Sequence, residues 1–156
     1  MTAFKIEVRG IVQGVGFRPF VHRLVEQYGF AGWIRNTSDG VQLELCGSRR
    51  ALLRFVEELK YNSPPLALVE SVTYSEVVPG EYKSFHIISS AAGESMRTLV
   101  SPDVGICDDC RRELLDPRDR RFRYPFINCT NCGPRFTIIK SVPYDRASTA
   151  MAGFAM

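Results

Sequence analysis

The chain has 156 residues, of which 45% are apolar and 24% charged, and this balance excludes a disordered tail and a membrane protein. No apolar run approaches the ~18 residues that a membrane-spanning helix needs. The N-terminus, MTAFKIEVRG, has charges where a secretory signal peptide would have its apolar segment. We therefore expect a soluble cytoplasmic protein that does not contact membranes.

The net charge of +3 is unevenly distributed along the chain. Residues 1–106 contain 11 basic and 11 acidic side chains, whereas residues 107–156 contain 9 basic and 6 acidic ones. A neutral N-terminal part (the front of the chain) followed by a basic C-terminal part (its back) suggests two modules. Five cysteines without a secretory signal argue against a disulfide framework, and since four of them stand in two pairs, the pattern favours a metal site.

The front of the chain alternates between strand and helix patterns. Strands are predicted over residues 4–10, 31–36, 41–47, 69–78 and 82–88, and helices over residues 18–29 and from the cap Ser48 to the break at 63–65. This order, βαββαβ with one strand added, predicts an α+β fold of the ferredoxin-like type. A fold of this kind does not by itself determine a function, so we expect the functional residues in its loops.

A glycine-rich loop precedes the first predicted helix. Its backbone N–H groups and the helix dipole would together form a site for a phosphate-sized anion. Gly14 and Gly16 are equally explained by a tight turn that needs a positive φ. Arg18 stands at the helix N-terminus, where a cation is disfavoured by a few tenths of a kcal/mol or more, so its presence favours a bound phosphate. A solvated arginine is the alternative.

Other polar residues carry weaker signals. Asn36 ends a strand before a turn, where asparagine is common for backbone reasons. Neither histidine has a catalytic setting, since His22 can pair with Glu26 on the polar side of its helix and His86 faces outward. Cys46, at the end of a strand, is interpreted as a packing residue, with a free reactive thiol as the alternative.

Two segments, GIVQGVGFR (10–18) and GWIRNTSDGVQLEL (32–45), resemble the acylphosphatase family, known for a G-x-V-Q-G-V-x-F-R loop and a strand ending in R-N-x-x-D-G. The resemblance covers roughly residues 4–90 and implies hydrolysis of an acyl phosphate, with Arg18 binding the phosphate and Asn36 orienting the attacking water. It also implies an N–H cradle formed by Gln13, Gly14, Val15, Gly16 and Phe17. Acyl phosphates have a good leaving group, so positioning and charge stabilisation suffice without a nucleophilic side chain.

The paired cysteines Cys107, Cys110, Cys129 and Cys132 have the spacing C-x2-C-x18-C-x2-C. This spacing fits a four-cysteine structural zinc (Zn2+) site with no open coordination position. An iron–sulfur cluster and unligated cysteines are the alternatives. Arginines and aromatic residues fill the gap and could indicate a nucleic-acid surface, but five acidic residues lie in the same stretch, so we expect no nucleic acid partner.

The segment CDDCRRELLDPRDRRFRYPFINCTNCGPRFTII, followed by SVPYDRASTAM, resembles the N-terminal part of the HypF family of carbamoyltransferases, which act in [NiFe]-hydrogenase maturation. The resemblance implies carbamoyl phosphate as the small acyl phosphate substrate and a HypE-type partner protein in the synthesis of cyanide ligands. Members of that family are longer and continue with a second finger, a YrdC-like domain and a carbamoyltransferase domain. We therefore expect this chain to be a fragment that cannot complete the transfer, and a non-catalytic, zinc-stabilised docking and anion-binding module is the alternative.

Four parts are expected along the chain. They are an acylphosphatase-like domain (1–90), a linker (91–103), a four-cysteine zinc finger (104–135) and a truncated lead-in to a second finger (136–156). The last part has no predicted partner within the chain, so we expect it to be frayed.

Overall fold

The computed structural model describes residues 1–91 and 99–154. Its strands are β1 (Thr2–Ile11), β2 (Ala31–Thr37), β3 (Gly40–Gly47), β4 (Leu68–Val77) and β5 (Phe85–Ile87), and its helices are α1 (Phe17–Tyr28), α2 (Arg49–Tyr61), α3 (Asp108–Leu115) and a 3-10 turn (Arg146–Ser148). No helix in the described part of the chain is long and apolar enough to cross a bilayer. Residues 92–98 of the predicted linker and 155–156 of the predicted lead-in lie outside the described residues.

The strands form one sheet in the order β4-β1-β3-β2-β5, in which β5 runs parallel to β2 and the other neighbours are antiparallel. The register places Leu43 between Ile6 and Ile34 on the central strands. All three side chains are fully buried against the two front helices, α1 and α2. The predicted α+β, ferredoxin-like fold is confirmed.

The core follows from the alternation of apolar and polar residues along the strands. In β1 the side chains of Phe4, Ile6 and Val8 are buried, while those of Lys5 and Arg9 are exposed. One cluster of 18 buried apolar side chains joins this face of the sheet to α1 and α2. Each large aliphatic or aromatic side chain stabilises the fold by roughly 1.5–3 kcal/mol when fully buried, so this domain holds itself together by packing.

The ends of the front helices match their sequence signals. Helix α1 lies between Gly16 and Gly29, whose φ angles of 78° and 67° are left-handed. Helix α2 begins after Ser48, whose hydroxyl oxygen accepts a hydrogen bond from the Ala51 N–H at 3.3 Å. The predicted N-cap is therefore confirmed.

The sheet face opposite the helices carries a polar network around Trp33. The indole N–H donates to the Tyr82 hydroxyl at 3.1 Å, and this hydroxyl in turn donates to the Glu44 carboxylate at 2.8 Å. The guanidinium of Arg35 lies 5.0 Å from the centre of the indole ring. The tryptophan is thus held by a cation and a hydrogen bond on this face of the sheet.

The last part of the chain is folded back, and the expectation of a frayed tail is wrong. The Lys140 N–H donates to the Ser148 carbonyl and the Ala150 N–H to the Ile138 carbonyl, each at 2.8 Å. These bonds close a loop whose centre, residues 144–145, contacts the front domain. These contacts are made by backbone groups and a carboxylate outside regular secondary structure. No apolar periodicity in the sequence therefore predicts them.

Candidate active site and metal centre

The loop between β1 and α1 requires glycine at two positions. Gly14 and Gly16 have φ angles of 70° and 78°, which are strained for any residue with a Cβ. A Cβ on Gly14 would lie 3.1 Å from ring carbons of Tyr144, and one on Gly16 would lie 2.9 Å from the Cβ of Thr130. Both the turn and the close approach of the back of the chain therefore account for these glycines without any ligand.

The side chains of this loop face inward. Val15 and Phe17 are 0% and 1% exposed and belong to the core, so only their backbone N–H groups can face a ligand. The buried amide of Gln13 donates to the carbonyls of Thr37 and Gly40, each at 2.7 Å. Gln13 thus attaches the loop to the turn between β2 and β3.

Arg18 lies in the first turn of α1, where no acidic residue accompanies it. Its Nη2 is 2.7 Å from Oδ1 of Asp145, and the two side chains are 27% and 31% exposed. The other oxygen of this carboxylate accepts a hydrogen bond from the Ser90 hydroxyl. Arg18 therefore does bind an anionic group, as the sequence suggests, but that group is the carboxylate of Asp145 in the same chain.

Asn36, in β2, is 1% exposed, and its Nδ2 donates to the Tyr144 carbonyl at 3.0 Å. Because a carbonyl can only accept, this bond fixes which end of the amide is which. The other end, Oδ1, is buried and has no hydrogen-bond partner among the described residues. A buried acceptor without a partner costs about 1–3 kcal/mol, so this atom is suited to receive a small polar ligand.

The segment Tyr144–Asp145 joins the predicted site residues. Besides its contacts to Arg18 and Asn36, the Tyr144 N–H donates to Oε1 of Gln13 at 2.6 Å. No local pattern in the sequence marks this segment, because its partners lie 108, 127 and 131 positions away.

The four paired cysteines come together as predicted. Their sulfur atoms all lie within 4.8 Å of one another. The Cys107–Cys129 and Cys129–Cys132 separations are 3.7 Å, and the Cys110–Cys132 separation is 3.6 Å. Four sulfurs each ~2.3 Å from a central ion would be about 3.8 Å apart at the corners of a tetrahedron. The cluster therefore fits a tetrahedral metal ion, and the protein is equipped to bind one.

The local environment shifts the pKa values of two of these thiols in opposite directions. Burial and the neighbouring thiols raise the pKa of Cys110. Burial also acts to raise the pKa of Cys132, but hydrogen bonds from the backbone of Cys107 and Cys129 outweigh it and lower this pKa to about 7. Because a metal binds thiolates, the lowered pKa of Cys132 favours metal binding near neutral pH.

Two family models match the chain. Residues 4–87 match the acylphosphatase family, and residues 106–139 match the HypF finger. The first match takes in the loop, Arg18 and Asn36, and the second takes in all four cysteines of the cluster.

Relatives and solved structures agree with both matches. Carbamoyltransferase HypF2 of Cupriavidus necator is 47% identical over 96% of this chain and 19% of its own length. The acylphosphatase of Thermotoga petrophila is 43% identical over 56% of this chain and 97% of its own length. A crystal structure of full-length HypF in the phosphate- and nucleotide-bound form has a TM-score of 0.95 and 49% identity over 99% of this chain and 20% of that one.

The chain thus spans about a fifth of the length of the HypF relatives that it matches. Its front domain matches nearly the whole length of an acylphosphatase, and the finger behind that domain is the one found in HypF. The chain belongs to the acylphosphatase family and matches the N-terminal region of the HypF carbamoyltransferases.

Proposed function

We propose that the front domain hydrolyses a small acyl phosphate and that its substrate is carbamoyl phosphate. The observation that carries this proposal is the buried Oδ1 of Asn36, an oriented acceptor without a partner among the described residues. Family membership adds to it, since a 43% identical relative is named an acylphosphatase. A 49% identical full-length HypF has been solved in a phosphate- and nucleotide-bound form, so phosphate is a ligand of that protein.

In this proposal Arg18 and the backbone N–H groups of residues 13–17 bind the phosphate group and stabilise the charge that grows on it. Oδ1 of Asn36 accepts a hydrogen bond from a water molecule and holds it against the acyl carbon. Attack by that water breaks the bond between the acyl carbon and the bridging oxygen. The products are the acid and inorganic phosphate, and no nucleophilic side chain is needed.

The substrate has to exchange with Asp145 on Arg18. Both side chains of that pair keep access to solvent, at 27% and 31% exposed, and solvent-accessible ion pairs contribute only ~0.2–1 kcal/mol. A phosphate carries more charge than a carboxylate and also meets the loop N–H groups. We therefore expect phosphate to displace the carboxylate.

We propose Zn2+ as the ion of the four-cysteine cluster. Four thiolates at tetrahedral spacing are a closed ligand set, so such an ion would hold the finger together and take no part in the reaction. Metal analysis of the purified protein tests this, with one zinc per chain expected. Iron in its place, with visible absorbance, would indicate an iron–sulfur cluster instead.

We also propose that the chain acts as part of a HypF-type carbamoyltransferase, together with a HypE-type protein, in the synthesis of cyanide ligands for [NiFe]-hydrogenase. This rests on relatives named carbamoyltransferase HypF that align over 96% of this chain. Since the chain spans about a fifth of those proteins, the transfer itself is assigned to the longer proteins.

The test is phosphate release from carbamoyl phosphate, corrected for hydrolysis in buffer. The variants are Arg18→Ala and Asn36→Ala, and Arg23→Ala is the matched control because it removes the same charge from an exposed position of α1. We expect turnover by the wild type and by the control, and background rates for the two site variants. A folded, metal-loaded wild type no faster than buffer would contradict the hydrolase function.

A second candidate is a docking and anion-binding module without turnover. The contacts of Tyr144 and Asp145 favour it, since they already use the amide of Asn36 and one N–H of Arg18. In that case the wild type binds inorganic phosphate, Arg18→Ala does not, and neither releases phosphate from carbamoyl phosphate.

A further inference from the structure

Arg135 follows the last cysteine of the cluster by three positions and is 5% exposed. Its guanidinium donates hydrogen bonds to three backbone carbonyls. One belongs to Cys129, a cluster cysteine, at 2.7 Å, one to Pro134 at 2.9 Å, and the third to Gly14 of the loop before α1. A single side chain therefore connects the cysteine cluster to the candidate phosphate loop.

The hydrogen bond from Arg135 to the Gly14 carbonyl also orients a backbone N–H of the loop. The C=O of Gly14 and the N–H of Val15 belong to one planar peptide unit and point in opposite directions. Gly14 is left-handed and lacks a Cβ, so this unit could otherwise rotate. By holding the carbonyl, Arg135 fixes the direction of an N–H in the loop.

The charge of Arg135 is also available to the loop. Within residues 1–91 and 99–154, no carboxylate oxygen lies within 4.0 Å of its guanidinium. The contact to Asp103 is made by the backbone N–H, at 2.6 Å. A buried guanidinium that bonds only to neutral carbonyls is not neutralised by them. Its positive potential therefore acts on the neighbouring loop, which is suited to an anion.

We propose that Arg135 is a positioning residue for the phosphate loop and that, through it, metal occupancy of the cysteine cluster sets the affinity of the loop for phosphate. This rests on the proposed function of the loop. Loss of the metal frees the Cys129 backbone, Arg135 loses one of its three anchors, and the peptide unit after Gly14 is no longer held.

The experiment measures the dissociation constant of inorganic phosphate by calorimetry, with and without removal of the metal by a chelator. The wild type is compared with Arg135→Ala and Arg135→Lys. Arg121→Ala is the matched control and is compared at full metal content. Arg121 is a partly buried arginine of the finger that bonds to Glu113, to the Asn128 carbonyl and to Sγ of Cys110, but to none of the described residues of the front domain.

We expect Arg135→Ala to weaken phosphate binding about tenfold or more, as for the loss of a buried charge-assisted hydrogen bond. Metal removal should weaken binding in the wild type by a smaller factor, because Arg135 keeps its charge and two of its anchors, and it should add little in Arg135→Ala, because both changes act on one link. Arg135→Lys keeps the charge and one donor, so it should recover part of the affinity. With carbamoyl phosphate, KM should rise more than kcat falls, because Asn36 is untouched.

The outcomes separate the two proposals. A metal-loaded wild type that does not bind phosphate removes the proposed function, and this inference with it. A wild type that binds phosphate with the same affinity as Arg135→Ala, or as its own metal-free form, overturns this inference alone. An equal loss in Arg121→Ala with its metal content unchanged also overturns it, because a general effect of the finger would then explain the loss.

Discussion

The front domain and the finger are stabilised in different ways. Residues of β1–β5, α1 and α2 bury 18 apolar side chains in one cluster. The cluster of the finger buries three residues, Cys110, Ile127 and Cys132, of which two are cysteines of the metal site. Packing therefore determines the front fold, whereas the finger depends on its ligand set, because so small a core cannot offset the entropy of ordering the chain.

The largest effect expected from this difference concerns the cluster itself. Cys110→Ser removes a fully buried ligand from α3. The finger should lose its metal and its amide protection, while the front domain keeps its own protection in hydrogen exchange. Cys46→Ser, in β3 and outside the cluster, is the control and should keep full metal content. A finger that stays protected without metal would contradict the comparison.

A smaller effect is expected from the front core. Leu43→Ala truncates a side chain that is 0% exposed at the centre of the sheet. The free energy of unfolding of this domain should fall by about 2–5 kcal/mol, because a cavity replaces the lost contacts. Chemical denaturation followed by circular dichroism measures it, and metal content should not change. Leu115→Ala, at a position 67% exposed in the finger, should change stability by no more than ~0.5 kcal/mol.

The contact between the two regions at Arg18 gives a smaller effect again. Asp145→Asn removes the carboxylate that pairs with Arg18, so inorganic phosphate should bind up to about fivefold more tightly, in line with an ion pair of ~0.2–1 kcal/mol. Glu76→Gln, which breaks an exposed pair with Arg49, makes the same change in charge elsewhere and should leave the affinity unchanged. Weaker binding in Asp145→Asn would mean that the carboxylate orients Arg18 for the ligand and does not compete with it.

The smallest effect expected is a pH dependence at Asp103. Hydrogen bonds from the backbone N–H of Arg135, and also from Thr137, lower the pKa of this carboxyl below its ordinary value of 3.8. A lowered acid pKa stabilises the fold above that ordinary value, and the contribution is lost as the pH falls through the folded pKa. The melting temperatures of the wild type and Asp103→Asn should therefore converge below about pH 4. A constant difference down to pH 3 would contradict this role.

The features that can be predicted from the sequence are those whose signal is local. Alternation in β1 and the cap at Ser48 gave the front elements, and the spacing of the paired cysteines gave the cluster. The His22–Glu26 pair, at 3.6 Å, was also predicted from its spacing of four residues. Each of these signals lies within a few residues of the feature it predicts.

The closure of the site could not be found in this way. Asp145 and Arg135 reach loop residues more than a hundred positions earlier, through a carboxylate and a guanidinium in irregular chain. Residue types alone do not distinguish such contacts from solvated charges. The sequence also does not reveal why residue 14 is a glycine. In the structure a positive φ and the nearby Tyr144 ring both exclude a side chain there.

The network around Trp33 gives the two regions separate optical signals. It holds the single tryptophan of the chain, and its hydrogen-bonded partners belong to the front domain. Indole fluorescence therefore reports the integrity of the front sheet and of its contacts with Arg35 and Tyr82, while the finger contributes no tryptophan emission. Loss of metal and loss of the front fold can thus be followed independently in the same sample.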